Sequence, residues 1–73
     1  MEKFYAIRVI NVQARKRGYL ISLTNGMLLS RNISHPDIIK FSAYDSAEKF
    51  IKEEPLLNEK GIFVSIRDNE DLM

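Results

Sequence analysis

The side chains that most often carry catalysis are scarce in this sequence. His35 is the single imidazole and the chain contains no Cys, so thiol nucleophiles, disulfide bonds and two-histidine metal sites are excluded. A nucleophile–base pair would need His35 and a Ser or Asp from elsewhere, and no local spacing supplies one. The carboxylate pairs Glu53–Glu54 and Glu70–Asp71 fall at a predicted helix end and in a polar tail, where both acids stay solvated. We therefore predict a non-enzymatic protein with no catalytic residues, no metal site and no cofactor.

A short basic run is the strongest candidate for binding chemistry. Arg15, Lys16 and Arg17 are consecutive, and Tyr19 follows two positions later. In a polar turn these cations could hold phosphate groups, while a nearby aromatic ring, Tyr19 or Tyr5, would offer a stacking surface. The predicted binding residues are Arg15, Lys16, Arg17, Tyr19 and Arg31.

Charge is divided unevenly along the chain, although its net value is only +1. Residues 1–40 hold seven Lys or Arg against two acids, a net charge of +5. Residues 41–73 hold four Lys or Arg against eight acids, a net charge of −4. This polarity suits a charged protein partner or head-to-tail self-contact, whereas a dedicated nucleic-acid-binding domain is usually plainly basic.

The elements that must position these residues begin with three predicted strands. β-branched and aromatic residues favour strands over residues 4–13, 19–24 and 27–31. Asn25–Gly26 separates the second and third, which predicts a type I′ hairpin. A polar turn over residues 13–18 would join the first two strands, with Gly18 available for a positive φ.

A single apolar stripe predicts one helix after these strands. Ser42 and Asp45 have the spacing of a capping box, and Pro55 should end the helix at or before Glu54. The stripe consists of Ala43, Ala47, Phe50 and Ile51. Residues 62–67 then predict a last strand, and the acidic residues 68–73 should fray.

Residues 32–41 permit two interpretations. Residues 34–37 could cap a short helical turn that carries Ile38 and Ile39, with Pro36 in an early helical position. Alternatively, a loop could place Ile39 and Phe41 in a short extended piece, so this segment is left irregular. The order strand, strand, strand, helix, strand predicts one α+β domain over residues 1–73, with a small, mainly antiparallel sheet covered by one helix.

The predicted strands carry more apolar residues than one helix can cover. We expect a second apolar set on the opposite sheet face, made of Phe4, Ala6, Ile10, Val12, Leu20, Leu28 and Phe63. An exposed face of this kind indicates an interface, most simply that of a two-fold homodimer. The alternative is that residues 32–41 and Leu56–Leu57 fold over it.

The pattern also resembles a group of small uncharacterised α+β proteins of phages and bacterial mobile elements. The resemblance is carried by Gly18-Tyr19-Leu20, Thr24-Asn25-Gly26, Phe41-Ser42 and residues 45–51. Phe41 and Ser42 are adjacent here, where that pattern has a one-residue gap. The resemblance implies a bacterial or phage cytoplasmic protein that acts by binding, and could act by inhibiting, a bacterial macromolecule.

These observations lead to three functional hypotheses. The first is a non-enzymatic protein-interaction module, most simply a homodimer. The second is a small nucleic-acid-binding protein that uses the turn at residues 15–17 together with Arg31. The third, least supported, is a small enzyme working through His35. No apolar run is long enough to span a bilayer, so we expect a cytoplasmic protein without membrane contact.

Overall fold

Four antiparallel strands form the sheet of this protein, whose computed structural model describes residues 3–24 and 26–70. The strands are β1 (Tyr5–Asn11), β2 (Lys16–Ser22), β3 (Leu28–Ser30) and β4 (Ile62–Asp68). Their order in the sheet is β3-β2-β1-β4, so β1 is central and pairs with both β2 and β4. One α-helix, α1 (Tyr44–Glu53), precedes β4. The predicted α+β class, with an antiparallel sheet and one helix, is confirmed.

The helix covers one face of the sheet and forms the larger core there. Ala47 is buried, and Phe50 and Ile51 pack against a cluster that contains Ile7 and Leu20. Leu57 joins the same cluster from the 3₁₀ turn Pro55–Asn58 that follows α1. The predicted stripe is therefore the packed face of the helix, except that its first member, Ala43, lies outside as the N-cap residue.

The helix ends differ in how well the sequence predicts them. Glu54, just before Pro55, is the C-cap residue and has extended backbone angles, as predicted. The predicted capping box at Ser42 is wrong, because the helix begins two residues later and no side chain caps its first turn. The Asn58 amide instead stabilises the other end, where it donates to the carbonyl oxygens of Ile51 at 2.7 Å and Glu54 at 2.8 Å.

The turn between β1 and β2 lies earlier than predicted. It spans residues 12–15, where the Asn11 side chain accepts a hydrogen bond from the Ala14 amide at 3.1 Å. Arg15, not a glycine, has the positive φ, at 55°. Lys16 and Arg17 consequently belong to β2, and the basic run is a turn only at its first residue.

Gly18 lies inside β2, opposite Val9, and its role is close backbone approach. A Cβ atom added at Gly18 would lie 2.6 Å from the carbonyl oxygen of Ser30 in β3. The predicted type I′ turn that joins β2 to β3 includes Asn25, which lies outside the described residues. Strands β2 and β3 pair antiparallel, as expected for a hairpin, with a register shift between Leu20 and Ser22.

Residues 38–41 insert between β1 and β2 at the end where those strands separate. The Ile39 amide donates to the Leu20 carbonyl at 3.0 Å, and Phe41 exchanges two backbone hydrogen bonds with Tyr5. Ile39 and Phe41 pack into the helix-side core, while Ile38 packs on the opposite sheet face. Residues 39–41 therefore adopt the extended alternative, while the Ile38 amide donates to the His35 carbonyl at 3.4 Å in a turn just before them.

The second sheet face is covered over only part of its area. Ile33 and Ile38 pack there against Ala6 and Tyr19, with Phe4 and Ile21 at the margin of the cluster. Leu20 was predicted on this face, and that prediction is wrong: it belongs to the helix-side core, where it is fully buried. Leu57 also packs on the helix side, so among the described residues the additional cover comes from residues 33–38.

The acidic end of the chain is ordered further than predicted. Asp68 pairs with Tyr5 in the sheet, and its carboxylate lies 3.0 Å from the Lys3 ammonium. The hydrogen bond and negative charge of Asp68 raise the pKa of Lys3 above its ordinary value. The Asn69 side chain accepts from the Phe4 amide at 2.9 Å. Residues 71–73 of the predicted frayed tail lie outside the described residues.

No helix among the described residues has both the length and the apolar character needed to cross a bilayer.

The close approach at Gly18 predicts a stability effect. Gly18→Ala should lower the free energy of unfolding by about 1–3 kcal/mol, because the new methyl group forces backbone rather than a flexible side chain to move. Ser65→Ala, at an exposed position of β4, is the control and should change it by less than about 0.5 kcal/mol. Urea denaturation of both variants measures the difference. Equal stability of Gly18→Ala and the parent protein would contradict the packing described here.

The packing of residues 33–38 is tested at Ile38, which is only 5% exposed. Ile38→Ala should cost about 2–5 kcal/mol and the milder Ile38→Val about 0.5–1.5 kcal/mol, as expected for truncation in a core. Ile10→Ala, at a position 39% exposed on the same sheet face, should cost clearly less. Thermal unfolding of the three variants gives the comparison, and an Ile38→Ala effect no larger than that of Ile10→Ala would show that the segment does not cover the sheet.

Candidate nucleic-acid interface

The uncovered part of the second sheet face is basic and apolar. Alternation and register place on it Arg8, Ile10, Arg17, Phe63, Ser65 and Arg67, which we call the open patch. Ile10 lies directly opposite Arg17 on one side and opposite Phe63 on the other, so these three side chains form a row across three strands. Arg8 and Ser65 form the neighbouring row. No strand residue on this face is acidic.

Phe63 is the most exposed large apolar side chain of the open patch. It is 61% exposed, although β4 is otherwise an ordinary strand whose Ile62, Val64 and Ile66 face the helix side. A phenylalanine held in this way loses apolar burial unless something covers it. Its ring is therefore available to a binding partner, flanked by Ile10 and by the arginines of the patch.

The arginines of the open patch have no carboxylate partners within the described part of the chain. There, the ion pair within 4.0 Å is the one between Lys3 and Asp68, on a different part of the sheet. The guanidinium groups of Arg8, Arg17 and Arg67 are thus uncompensated by residues 3–24 and 26–70. Like charges gathered without counter-charges favour binding of an anion.

An adjoining depression, which we call the arginine pocket, brings in a fourth guanidinium. It has a volume of about 360 Å³ and is lined by Arg8, Arg17, Gly18, Tyr19 and Arg31. Arg8 comes from β1, Arg17 from β2, and Arg31 follows β3 directly. Arg8 lies opposite Tyr19 in the strand register, which explains why residues distant in sequence meet here.

A second depression of about 310 Å³ lies beside the β3 edge. It is lined by Arg15, Lys16, Arg17, Met27, Leu28, Leu29 and Arg31. Arg17 and Arg31 therefore line both depressions, while Arg15 and Lys16 line only this one. The five residues predicted from the sequence are brought together around two neighbouring depressions that share two arginines.

Tyr19 does not have the form expected of a stacking platform. Its side chain is only 8% exposed because Ile33 and Ile38 pack against it. Tyr5 is half-buried, and the Tyr44 ring meets it edge-on with 6.0 Å between the two ring centroids. The Lys3 ammonium lies 5.6 Å from the centroid of the Tyr5 ring. The exposed aromatic ring near the arginines is that of Phe63, which the sequence interpretation assigned to an apolar protein interface and not to nucleic-acid binding.

The residues that the sequence interpretation missed are Arg8 and Arg67, whereas Phe63 was predicted on this face as part of an apolar interface. Alternation along β1 placed Arg8 on the same face as Ile10, and alternation along β4 separates Phe63 and Arg67 from the packed residues. This alternation shows, within each strand, which residues share a face. Which strands lie side by side, however, depends on the order β3-β2-β1-β4, which pattern alone does not reveal.

His35 lies apart from the open patch, in the segment that covers the other part of the face. Its Nδ1 atom accepts a hydrogen bond from the Asp37 amide at 3.0 Å, which stabilises a local turn. Within residues 3–24 and 26–70, no three His, Cys, Asp or Glu side chains come together as a potential metal site.

The uncompensated charge predicts a salt-dependent stability effect at Arg17. Arg17→Gln should leave the free energy of unfolding unchanged or raise it by about 0.5 kcal/mol at low ionic strength, because it relieves repulsion among arginines. Lys49→Gln on α1 should instead lower the free energy of unfolding slightly, because it removes a positive charge that lies one helical turn after Asp45. Denaturation at low and high salt measures both effects. A loss above about 1 kcal/mol for Arg17→Gln would indicate a structural role for this arginine instead.

Comparison with protein-family models, with curated proteins and with solved structures finds no match to this chain. The resemblance to small phage and mobile-element proteins therefore stays a prediction.

Proposed function

We propose that this protein is a non-enzymatic binding module whose open patch binds single-stranded nucleic acid. The observation that supports this most directly is the row Arg17–Ile10–Phe63, with Arg8 in the adjacent row, Arg67 further along β4 and no acidic strand residue on the same face. Single-stranded nucleic acids offer phosphates for arginines and base faces for an exposed ring. The patch is suited to both contacts at once.

The same patch is poorly suited to a two-fold homodimer formed face to face. An isologous interface would place Arg8, Arg17 and Arg67 of one copy against the same residues of the other. Burying these unpaired cations together costs more than the exposed Ile10 and Phe63 would return on burial. We therefore favour an anionic partner over a second copy for this surface, while the broader hypothesis of a macromolecule-binding module is retained.

Charge on the remainder of the molecule supports a one-sided interaction. Over residues 44–60, which contain the helix and the following turn, five acids outnumber three lysines. These residues lie on the opposite side of the sheet from the open patch. A polyanion would thus be attracted to one face and repelled by the other, so a net charge of only +1 is compatible with binding.

Fluorescence anisotropy with labelled single-stranded DNA and RNA of about 12 nucleotides tests this proposal. Phe63→Ala should weaken binding about tenfold or more, since base–aromatic stacking contributes roughly 1–3 kcal/mol per base. Tyr44→Ala is the matched control, because it removes another exposed aromatic ring, 49% exposed, from the helix side. Arg67→Gln should reduce the slope of log affinity against log salt by about 0.7, as expected for loss of one phosphate contact.

Two results would contradict the proposal. The first is absence of binding at about 50 mM salt, where phosphate contacts are strong. The second is equal binding by Phe63→Ala and Tyr44→Ala. If sedimentation instead showed a concentration-dependent dimer that Phe63→Ala abolishes, with no oligonucleotide bound, the open patch would be a self-association surface.

A further inference from the structure

The arginine pocket combines three cations from three separate chain segments. Arg8, Arg17 and Arg31 line it together with Gly18 and Tyr19. Gly18 lines it with backbone atoms, since a Cβ atom at this position would be directed at the Ser30 carbonyl. Tyr19 is held in place by its burial against Ile33 and Ile38. The pocket is therefore a depression in the packed sheet, and its rim carries flexible guanidinium groups.

Nothing in the described part of the chain neutralises these three groups. Neither Arg8 nor Arg17 nor Arg31 makes an ion pair within 4.0 Å with a carboxylate of residues 3–24 or 26–70. Arg17 and Arg31 are exposed, and Arg8 is half-buried. Repulsion within such a set is relieved when an anion binds between its members, so the pocket is suited to a ligand of high negative charge.

The chemistry of guanidinium identifies the kind of anion. Its planar fork of N–H donors matches phosphate oxygens in pairs. A phosphate inside a nucleic-acid strand carries one negative charge, whereas a phosphate monoester carries about −1.5 to −2 near pH 7 and has three terminal oxygens. Three arginines match the charge and the oxygen count of the monoester better than those of the internal diester.

We propose that Arg8, Arg17 and Arg31 bind a phosphate monoester, and that its source is the terminal phosphate of a strand bound on the open patch. The choice of source depends on the proposed function, because Arg8 and Arg17 belong to both the pocket and the patch. Arg31 belongs to the pocket and not to the open patch, whereas Phe63 and Arg67 belong to the patch and do not line the pocket. This separation allows the two surfaces to be tested independently.

The experiment compares oligonucleotides of one sequence with a 5′-phosphate, a 3′-phosphate or hydroxyl groups at both ends. The parent protein should bind one phosphorylated form about tenfold more tightly than the hydroxyl form, the effect expected for charge-assisted hydrogen bonds. Arg31→Gln should abolish this preference and leave binding of the hydroxyl form nearly unchanged. Arg67→Gln, the matched control, should weaken all three forms and keep their ratio.

A second measurement uses inorganic phosphate and a nucleoside monophosphate without any strand. Titration of the ¹⁵N-labelled protein should shift the arginine side-chain NH signals saturably, and Arg31→Gln should remove the saturable part. Saturable shifts without oligonucleotide binding would support the pocket and contradict the proposed function. Equal affinity for phosphorylated and hydroxyl ends would overturn the terminal-phosphate assignment while the proposed function stands. Linear, unsaturated shifts with both small phosphates would overturn the pocket itself.

Discussion

Alternate side chains of the central strand β1 pack into two separate apolar clusters, one on each face of the sheet. The remaining elements pack against these two clusters. Ile7 and Val9 face the helix, while Ala6 faces the segment that contains Ile33 and Ile38. All three are fully buried, although the described part of the chain offers one ten-residue α-helix to cover a four-stranded sheet. A small domain buries a limited fraction of its surface. The irregular residues 33–38 therefore serve as a second layer.

That second layer is incomplete, and its boundary defines the candidate site. Residues 38–41 enter between β1 and β2 at one end of the sheet, held by the hydrogen bonds of Ile39 and Phe41. At the other end, Phe63 stays exposed and arginines replace apolar neighbours on β1 and β2. An uncovered aromatic ring and unpaired cations both reduce stability unless a ligand binds, which is typical of functional surfaces. A single-stranded polyanion would compensate both at once.

The sequence predicted the helix and the strands better than it predicted how they pack and pair with one another. Apolar periodicity, Pro55 and the enrichment of β-branched residues were sufficient for the helix and the strands. The prediction of which sheet face Leu20 occupies was wrong. Tyr19, Leu20 and Ile21 are all apolar, so the pattern along β2 does not show which of them face the helix. The turn was misplaced because Arg15, a residue that rarely adopts a positive φ, does so here. The meeting of Arg8, Arg17 and Arg31 depends on strand order and register, which are tertiary properties.

The central claim, that the open patch and not the helix side contacts nucleic acid, is tested most directly by mapping the interface residue by residue. Backbone and side-chain NMR signals of the labelled protein would be followed during titration with a single-stranded oligonucleotide. We expect the largest changes at Ile10, Arg17, Phe63 and Ser65, with little change over residues 44–53. Changes concentrated on the helix, or spread evenly over both sides of the sheet, would contradict this account.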